Sequence, residues 1–488
     1  MKLTLKEITT ATGGKILDQA NMDLLLEGVS TDTRSIGKGE LFVALVGERF
    51  DGHAYVDKAA REGAAAAIVS RDVETELPIV RIIVDDTKIA YEALAAYVRQ
   101  KLNVRVVAVT GSVGKTSTRE MLKLGLSGVI LTHGTDANLN NEIGLSSTIL
   151  HTPDMTEALV LEMGMRLRGE IEELTMIAKP DVACITNIGV AHIERLGSRE
   201  NIMKAKLEIV DGLAKNGLLI IPAEDAMLIS YMESGALRED VRVGVTGMHL
   251  DATYFSKHPW CKIIATASNR IESDEGQQFD VRILSQSDLS SNSVEQATTV
   301  SLNLLGNHHC TNALALLLLA SDWHLNLDAV AKRLLSYQPI GNRERCVRVG
   351  EISFVDDSYN AGPESMKSAF ETLVARAKGH RTVACLADML ELGSYSKEMH
   401  EYIGREAAAA GIDILFVTGD YRNDVKKGAE DAGKSKDVYT FDNKEVMRDK
   451  LMTALLPDDF VLVKASHSFA MHTLIDDYEK RGGQSRDV

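Results

Sequence analysis

The chain has 488 residues, a formal net charge of −16 at pH 7 and 45% hydrophobic residues. At roughly 150 residues per domain that length suggests about three domains, and the apolar content is ample for several cores. The acidic balance excludes a general nucleic-acid binder, which shows a basic face, and favours a soluble, cytoplasmic protein.

Five scattered cysteines, none in a C-x-x-C pair, read as reduced intracellular thiols. The first residues lack the apolar core of a signal peptide. The longest apolar run, ALALLLLA from Ala313, is far short of the roughly 20 residues that span a bilayer and is expected as a buried helix.

In chain order, residues 1–100 form the first predicted domain. Strand signals occur at 41–45 (LFVAL), 64–70 (AAAAIVS) and 80–86 (VRIIVDD), and a helix over 87–102 closes the domain. The second, 101–340, has strands at 104–110, 157–163, 181–188 and 218–222 separated by helical stretches. That alternation predicts a mostly parallel sheet covered by helices. Residues 248–300 read differently. Strand fragments at Thr253-Tyr254-Phe255, 281–284 and 298–305 flank the polar stretch 285–293, which predicts an antiparallel edge or a surface insertion. The third domain, 341–488, has strands at 351–358, 381–388, 414–419 and 460–466, with helices over 365–378 and 397–410. It reads as a Rossmann-like unit without G-x-G-x-x-G. The expected fold class is therefore α/β in three domains.

The stretch VTGSVGKTS, from Val109 to Ser117, follows a strand and opens a helix. Backbone N–H groups of Gly111, Ser112, Val113 and Gly114 suit phosphate oxygens. Lys115 suits the β/γ-phosphates of ATP, Thr116 offers a hydroxyl to Mg²⁺, and Ser117 closes the motif. The full pattern would place a glycine at Val109, so the loop is short. Glu162 ends the strand at 157–163, the edge where open α/β sheets bind ligands, and could hold Mg²⁺ through oxygen. Alone it would be a solvated turn residue. His192, after the strand at 181–188, could reach the same crevice; a lone histidine is more often structural. Read alone, Lys206 is an exposed helix lysine. Asn138 and Asn141 precede a helix start, either as caps or as ligands of the phosphate or reacting group.

Together TGSVGKTS, TDANLNNEIG, LEMGMRLRGEI, NIGVAHIERLGSRENIMKAKLEI, VDDSYNAGPESM and ADMLELG resemble the Mur ligases, the ATP-dependent amide ligases of peptidoglycan synthesis. The resemblance covers nearly the whole chain, and the shortened loop is that family's form. It is strongest to the branch that joins D-alanyl-D-alanine to UDP-MurNAc-tripeptide. The resemblance implies an N-terminal UDP-sugar-binding domain, a central ATP-binding domain and a C-terminal domain for the amine substrate and closure over ATP. In STDTRSIGKGELFVALVGERFDGHAYV, Ser30, Thr31, Arg34, Asp51, Gly52 and His53 fall on its UDP-sugar positions. Thr116, Glu162, His192 and Lys206 fall on metal-site positions, Lys206 being the lysine that these ligases carbamylate. Arg343 matches a γ-phosphate contact, Asp357 a ribose contact and Asn312 an adenine contact. Tyr359 and Asn360 match positions near the amine substrate. The implied cofactors are ATP and Mg²⁺, the implied partners small molecules only, with a monomer as the default state.

The chain departs from the family pattern at several places. His308-His309 stands where His-Asn is usual, and Gly362 replaces the second Asn of N-A-N-P. His467 replaces a common Arg, His472 a frequent Glu, and Arg345 sits where an acid is frequent. Alternatives are a Mur ligase adding a diamino acid to the dipeptide precursor, a P-loop ATPase or kinase with a partner-binding third domain, and a non-catalytic nucleotide-binding relative. The first usually carries D-Y-A-H-[TK]-P and D-N-P-R motifs, which this chain lacks.

Overall fold

The structure, a computed structural model, describes residues 2–273, 276–287, 296–433 and 437–481, and the backbone of 485–487. Within the polar stretch 285–293, residues from 288 onward lie outside the described residues.

The N-terminal sheet has the order Lys15–Ile16, Val80–Ile83, Ala66–Val69, Leu41–Val43, Val29–Ser30, parallel except at its first pair. The predicted closing helix is Thr87–Lys101. It starts where Asp86 accepts from the N–H groups of Lys88 and Ile89. Ala90, Tyr91, Leu94, Ala95 and Val98 share its buried face, at helical spacing. That helix packs on Glu142–Leu150 and Glu170–Ala178 of the central domain. Arg99 Nε adds a 2.7 Å bond to the Ala178 carbonyl, so the first domain is docked through a helix face and a capped carbonyl. An unpredicted helix, Leu5–Thr12, begins at a capping box in which Thr4 and Glu7 satisfy each other's backbone.

The central sheet has nine strands in the order Thr132–Gly134, Ala158–Glu162, Arg105–Thr110, Val182–Ile185, Leu218–Pro222, Arg242–Met248, Cys261–Ser273, Gly276–Ser285 and Gln296–Leu302. The first seven run parallel and the last two antiparallel. The parallel strands beside the loop are buried along their whole length, as helices on both faces require. The strands Cys261–Ser273, Gly276–Ser285 and Gln296–Leu302 thus form the antiparallel edge of this sheet, the first of the two alternatives. Thr253-Tyr254-Phe255 is not a strand but begins the short helix Thr253–Lys257. The reason is local: Asp251 accepts from the Thr253 N–H at 2.9 Å, and one turn then drops Phe255 into the core.

The apolar run at 313–320 lies in Asn307–Asp322, a helix buried on nearly all sides and packed across Lys115–Leu126. Its Leu316 side chain sits where a Cβ on Gly125 would be, so the two helices cross closely only because residue 125 is glycine.

The third sheet is ordered Asp437–Phe441, Ile414–Thr418, Thr382–Leu386, Phe460–Lys464, Ile352–Asp356, Arg345–Val349, Ser485–Asp487. Its first five strands are parallel and the last two pair antiparallel. The helix expected from 365 starts two residues earlier, at Pro363–Ala377, because Pro363 occupies the first turn, where no N–H is needed. Among the described residues no helix is long and apolar enough to cross a membrane.

Candidate active site

The shortened loop is explained by the sheet. Val109 lies inside the strand Arg105–Thr110, paired with Glu162 on one side and Cys184 on the other. A glycine there would serve no turn. The turn begins at Gly111, whose φ of 150° excludes other residues and where a Cβ would collide with the Thr186 hydroxyl. Gly114, at φ 86°, caps the helix Lys115–Leu126. The loop is braced from the next strand. Ser112 N–H donates to the Asn187 carbonyl (3.1 Å) and Val113 N–H to Asn187 Oδ1 (3.1 Å). Thr186 and Asn187 both donate to the Val113 carbonyl.

Lys115 Nζ donates to the Gly111 carbonyl at 2.8 Å. Burial lowers its pKa, and Arg343 lowers it further, while Glu162 opposes both. Glu162 is only 2% exposed, not a solvated turn residue. Its Oε2 accepts from Arg119 Nη1 at 3.1 Å and its Oε1 from Asn140 Nδ2 at 2.9 Å. Arg119 itself is fully buried, and also donates to Glu120 and the Ala137 carbonyl. Arg119 does not stand out in the sequence, and Asn140 does so only as one of three Asn before the helix start. Only the T-S-T-R spacing after the loop, which turns Arg119 under the sheet edge, could have pointed to the first.

Lys206 ends the helix Arg199–Leu207, which Ser198 caps. It is 1% exposed, the opposite of the exposed helix lysine that its local sequence suggests. Its pKa falls well below the ordinary lysine range, first through burial and then through the neighbouring Lys115 ammonium. No carboxylate pairs with it among the described residues.

His192 sits in a left-handed turn, φ 65°, at the head of Ile193–Leu196. Its Nδ1 is 2.6 Å from Oε2 of Glu391, itself left-handed at φ 62° and part of the third domain. The loop around His192 is gripped from that domain at other points. Glu364 Oε1 accepts from Val190 N–H at 3.1 Å, and the Glu391 carbonyl accepts from Glu194 N–H at 3.3 Å. Glu391 and Glu364 are further residues that the sequence did not mark.

Arg343 reaches from the linker to the loop: its Nη2 donates to Thr116 Oγ1 at 3.4 Å. Its guanidinium lies 3.5 Å over the Tyr359 ring, which fixes the planar group against an aromatic face. Tyr359 donates to Asn138 Oδ1 at 2.6 Å, and His467 packs against the same ring at 5.6 Å. Lys464 Nζ bridges Asp357 Oδ2 (2.5 Å) and the Asn360 carbonyl (3.0 Å). Asn312 accepts from Thr118 at 2.9 Å and lines a cleft beside the loop with Thr186, Pro222, Thr246 and Thr311. Asn141 caps the helix Glu142–Leu150 by accepting from Gly144 N–H, the capping alternative. Gly362 has an extended φ of −155° with open space around it, so its backbone does not demand glycine.

The N-terminal candidates form two local groups. Asp51 caps the turn Gly52–Tyr55 and holds His53 Nδ1 at 2.7 Å, while His53 Nε2 accepts from Ser70 N–H at 2.8 Å. A Cβ on Gly52 would fall 2.6 Å from the Leu45 carbonyl oxygen. Ser30 and Thr31 end the edge strand Val29–Ser30, and Arg34 is exposed and paired with Asp32.

Thr116, Glu162 and His192 offer a hydroxyl, a carboxylate and an imidazole, a donor set that suits a divalent cation. A protonated Lys206 would repel that ion, whereas a neutral amine, or the anionic carbamate made from it, would not. The depressed basicity of Lys206 therefore fits the metal.

The comparisons with known proteins agree along the chain. The Mur ligase family catalytic domain matches residues 25–116, the Mur ligase middle domain 109–320 and the Mur ligase glutamate ligase domain 342–467. The UDP-N-acetylmuramoyl-tripeptide–D-alanyl-D-alanine ligase of Escherichia coli (strain K12) is 34% identical over 483 residues, 99% of each chain. That of Bacillus subtilis (strain 168) is 32% identical over 480 residues, 98% of each. A crystal structure of MurF from Acinetobacter baumannii has a TM-score of 0.84 at 28% identity, covering 98% of this chain and 99% of that one. MurF from Thermotoga maritima in complex with ADP has a TM-score of 0.76 at 27% identity, covering 93% and 97%.

Proposed function

This chain belongs to the Mur ligase family, and we propose that it joins D-alanyl-D-alanine to UDP-MurNAc-tripeptide with ATP, in the cytoplasm and as a monomer. The observation that carries this reading is the reach of Arg343 to Thr116. It brings the third domain, with Tyr359 and Asn360, to the phosphate end of the loop.

In this reading the backbone N–H groups from Gly111 to Ser117 bind the phosphates, Asn312 the adenine and Asp357 the ribose. The domain divisions are 1–100 for the UDP-sugar substrate, 101–340 for ATP and 341–488 for the amine. Ser30, Thr31, Arg34, Asp51, Gly52 and His53 lie on the sugar-nucleotide side. The tripeptide carboxylate attacks the γ-phosphoryl group, giving an acyl phosphate and ADP. Lys115 and Arg343 offset the charge on the transferring group. Mg²⁺, when bound, supplies further charge neutralisation, held by Thr116, Glu162, His192 and the carbamate of Lys206. Burial, then Lys115, favours the neutral amine of Lys206, the form able to take up CO₂. The D-alanyl-D-alanine amine then attacks the acyl carbonyl, phosphate leaves and the amine loses a proton. Closure of the third domain keeps water from the acyl phosphate.

The test is phosphate release with ATP and UDP-MurNAc-tripeptide, with and without D-alanyl-D-alanine. Release that depends on the dipeptide, with the ligated product in the mass spectrum, is expected. Release indifferent to the dipeptide sinks the ligase reading.

A further inference from the structure

Two histidines and a carboxylate meet between the central domain and the linker. His308 and His309 open the helix Asn307–Asp322, and Glu344 follows Arg343 in the linker. Glu344 adopts a left-handed φ of 50°, an uncommon conformation for a residue with a side chain. In it, both carboxylate oxygens face the histidine pair. Oε1 is 2.7 Å from His308 Nε2 and Oε2 is 2.8 Å from His309 Nε2.

Hydrogen bonding accounts for only part of this arrangement. His309 Nε2 is hydrogen-bonded to the carboxylate, but His308 Nε2 is buried and has no hydrogen bond despite its 2.7 Å approach. Neighbouring helix residues point about 100° apart, yet the two rings lie with centroids 4.0 Å apart at the start of Asn307–Asp322. His308 Nδ1 is 3.0 Å from Ser368 Oγ, a contact that fixes the ring with Nε2 inward, as second-shell partners of metal-binding histidines do. One nitrogen from each histidine and one carboxylate oxygen lie within 4.8 Å of one another.

We propose that His308, His309 and Glu344 form a second divalent-metal site, of the two-imidazole, one-carboxylate type that takes Zn²⁺ and similar transition ions. A pair of imidazole nitrogens, against the single imidazole of the Thr116, Glu162 and His192 set, favours such ions over Mg²⁺. Ligand distances of about 2.0–2.2 Å need the donor pairs to open by roughly half an ångström, and water completes the coordination. The site is separate from the Thr116, Glu162, His192 and Lys206 centre. It ties the central helix to the linker that carries Arg343, and it adjoins Asp357, whose Oδ1 accepts from Glu344 N–H at 3.2 Å. A bound ion would therefore hold the third domain's entry strand against the central domain.

The test titrates Co²⁺ into the full-length protein in excess Mg²⁺ and reads the d–d absorption of nitrogen-ligated cobalt. One equivalent is expected that Mg²⁺ does not displace and that Glu162→Gln keeps. His309→Asn should weaken it by more than the roughly 10- to 100-fold that a second-shell change costs. Absence of that equivalent in the unaltered protein overturns the proposal, as does undiminished binding in His309→Asn. Circular dichroism checks the fold of the variant; should it not fold, Glu344→Gln is judged by the same criterion.

Discussion

Replacing Lys206 by methionine should stabilise the fold and abolish turnover together. Lys206 is 1% exposed, and burial and Lys115 both work against its charged form. A polar group buried without a partner costs roughly 1–3 kcal/mol by protein mutational data. Methionine matches the apolar stem of the lysine side chain and carries no amine, so Lys206→Met should recover about that amount. For a domain of roughly 150–250 residues each kcal/mol moves Tm by about 2–4 °C. The central transition should therefore rise by about 2–12 °C in scanning calorimetry, in bicarbonate-depleted buffer without nucleotide or metal. Phosphate release should fall to background, because methionine cannot form a carbamate. A lower Tm would refute the argument, since it would mean that Lys206 Nζ is favourably held. Retained turnover would refute the carbamate role. Such opposition of stability and activity is expected where a site stores an unfavourable group.

Glu162→Ala removes one carboxylate from the fully buried Arg119, so it should cost stability, up to about 3–5 kcal/mol, with Glu120 reducing the loss. Glu162→Gln keeps an acceptor for Arg119 and should retain most of the stability while losing turnover; an active Glu162→Gln enzyme would rule out the metal role. Glu391→Gln weakens the hold on His192 and should lower Mn²⁺ affinity by roughly 10- to 100-fold. Electron paramagnetic resonance without substrates measures that affinity, and an unchanged value counts against Glu391 as a positioning residue. Glu92, on the helix that docks the first domain, has its pKa pushed up to about 7, first by burial and then by Glu173, with Lys88 opposing. The folded state keeps a proton that the unfolded chain loses near pH 4, so stability falls as pH rises from about 4 to about 7. Glu92→Gln should flatten that slope and add about 1–2 kcal/mol at pH 8, after discounting for solvent screening. Urea midpoints at pH 5 and pH 8 test it; an unaltered slope contradicts the shift.

Much of the fold was legible because parallel strands and their covering helices alternate in the sequence as they do in space. The strands ending at Thr110, Glu162 and Ile185 were all readable; the antiparallel edge was readable only as one of two alternatives, and its strand Cys261–Ser273 not at all. Thr253-Tyr254-Phe255 misled because β-rich residues were overruled by one Asp251 turn bond and one buried ring. The phosphate loop was legible for a similar reason: its function depends on consecutive backbone groups.

By itself the sequence determined the order of the elements, the loop and the family motifs, because each rests on neighbours along the chain. Tertiary structure alone decided what those residues face. It buried Lys206 beside Lys115 and set Arg119 under Glu162, 43 residues apart. It also joined Glu391 to His192 and Glu344 to His308 and His309 across domains. Burial and charge pairing depend on distances through space, and separation along the chain carries no record of those distances.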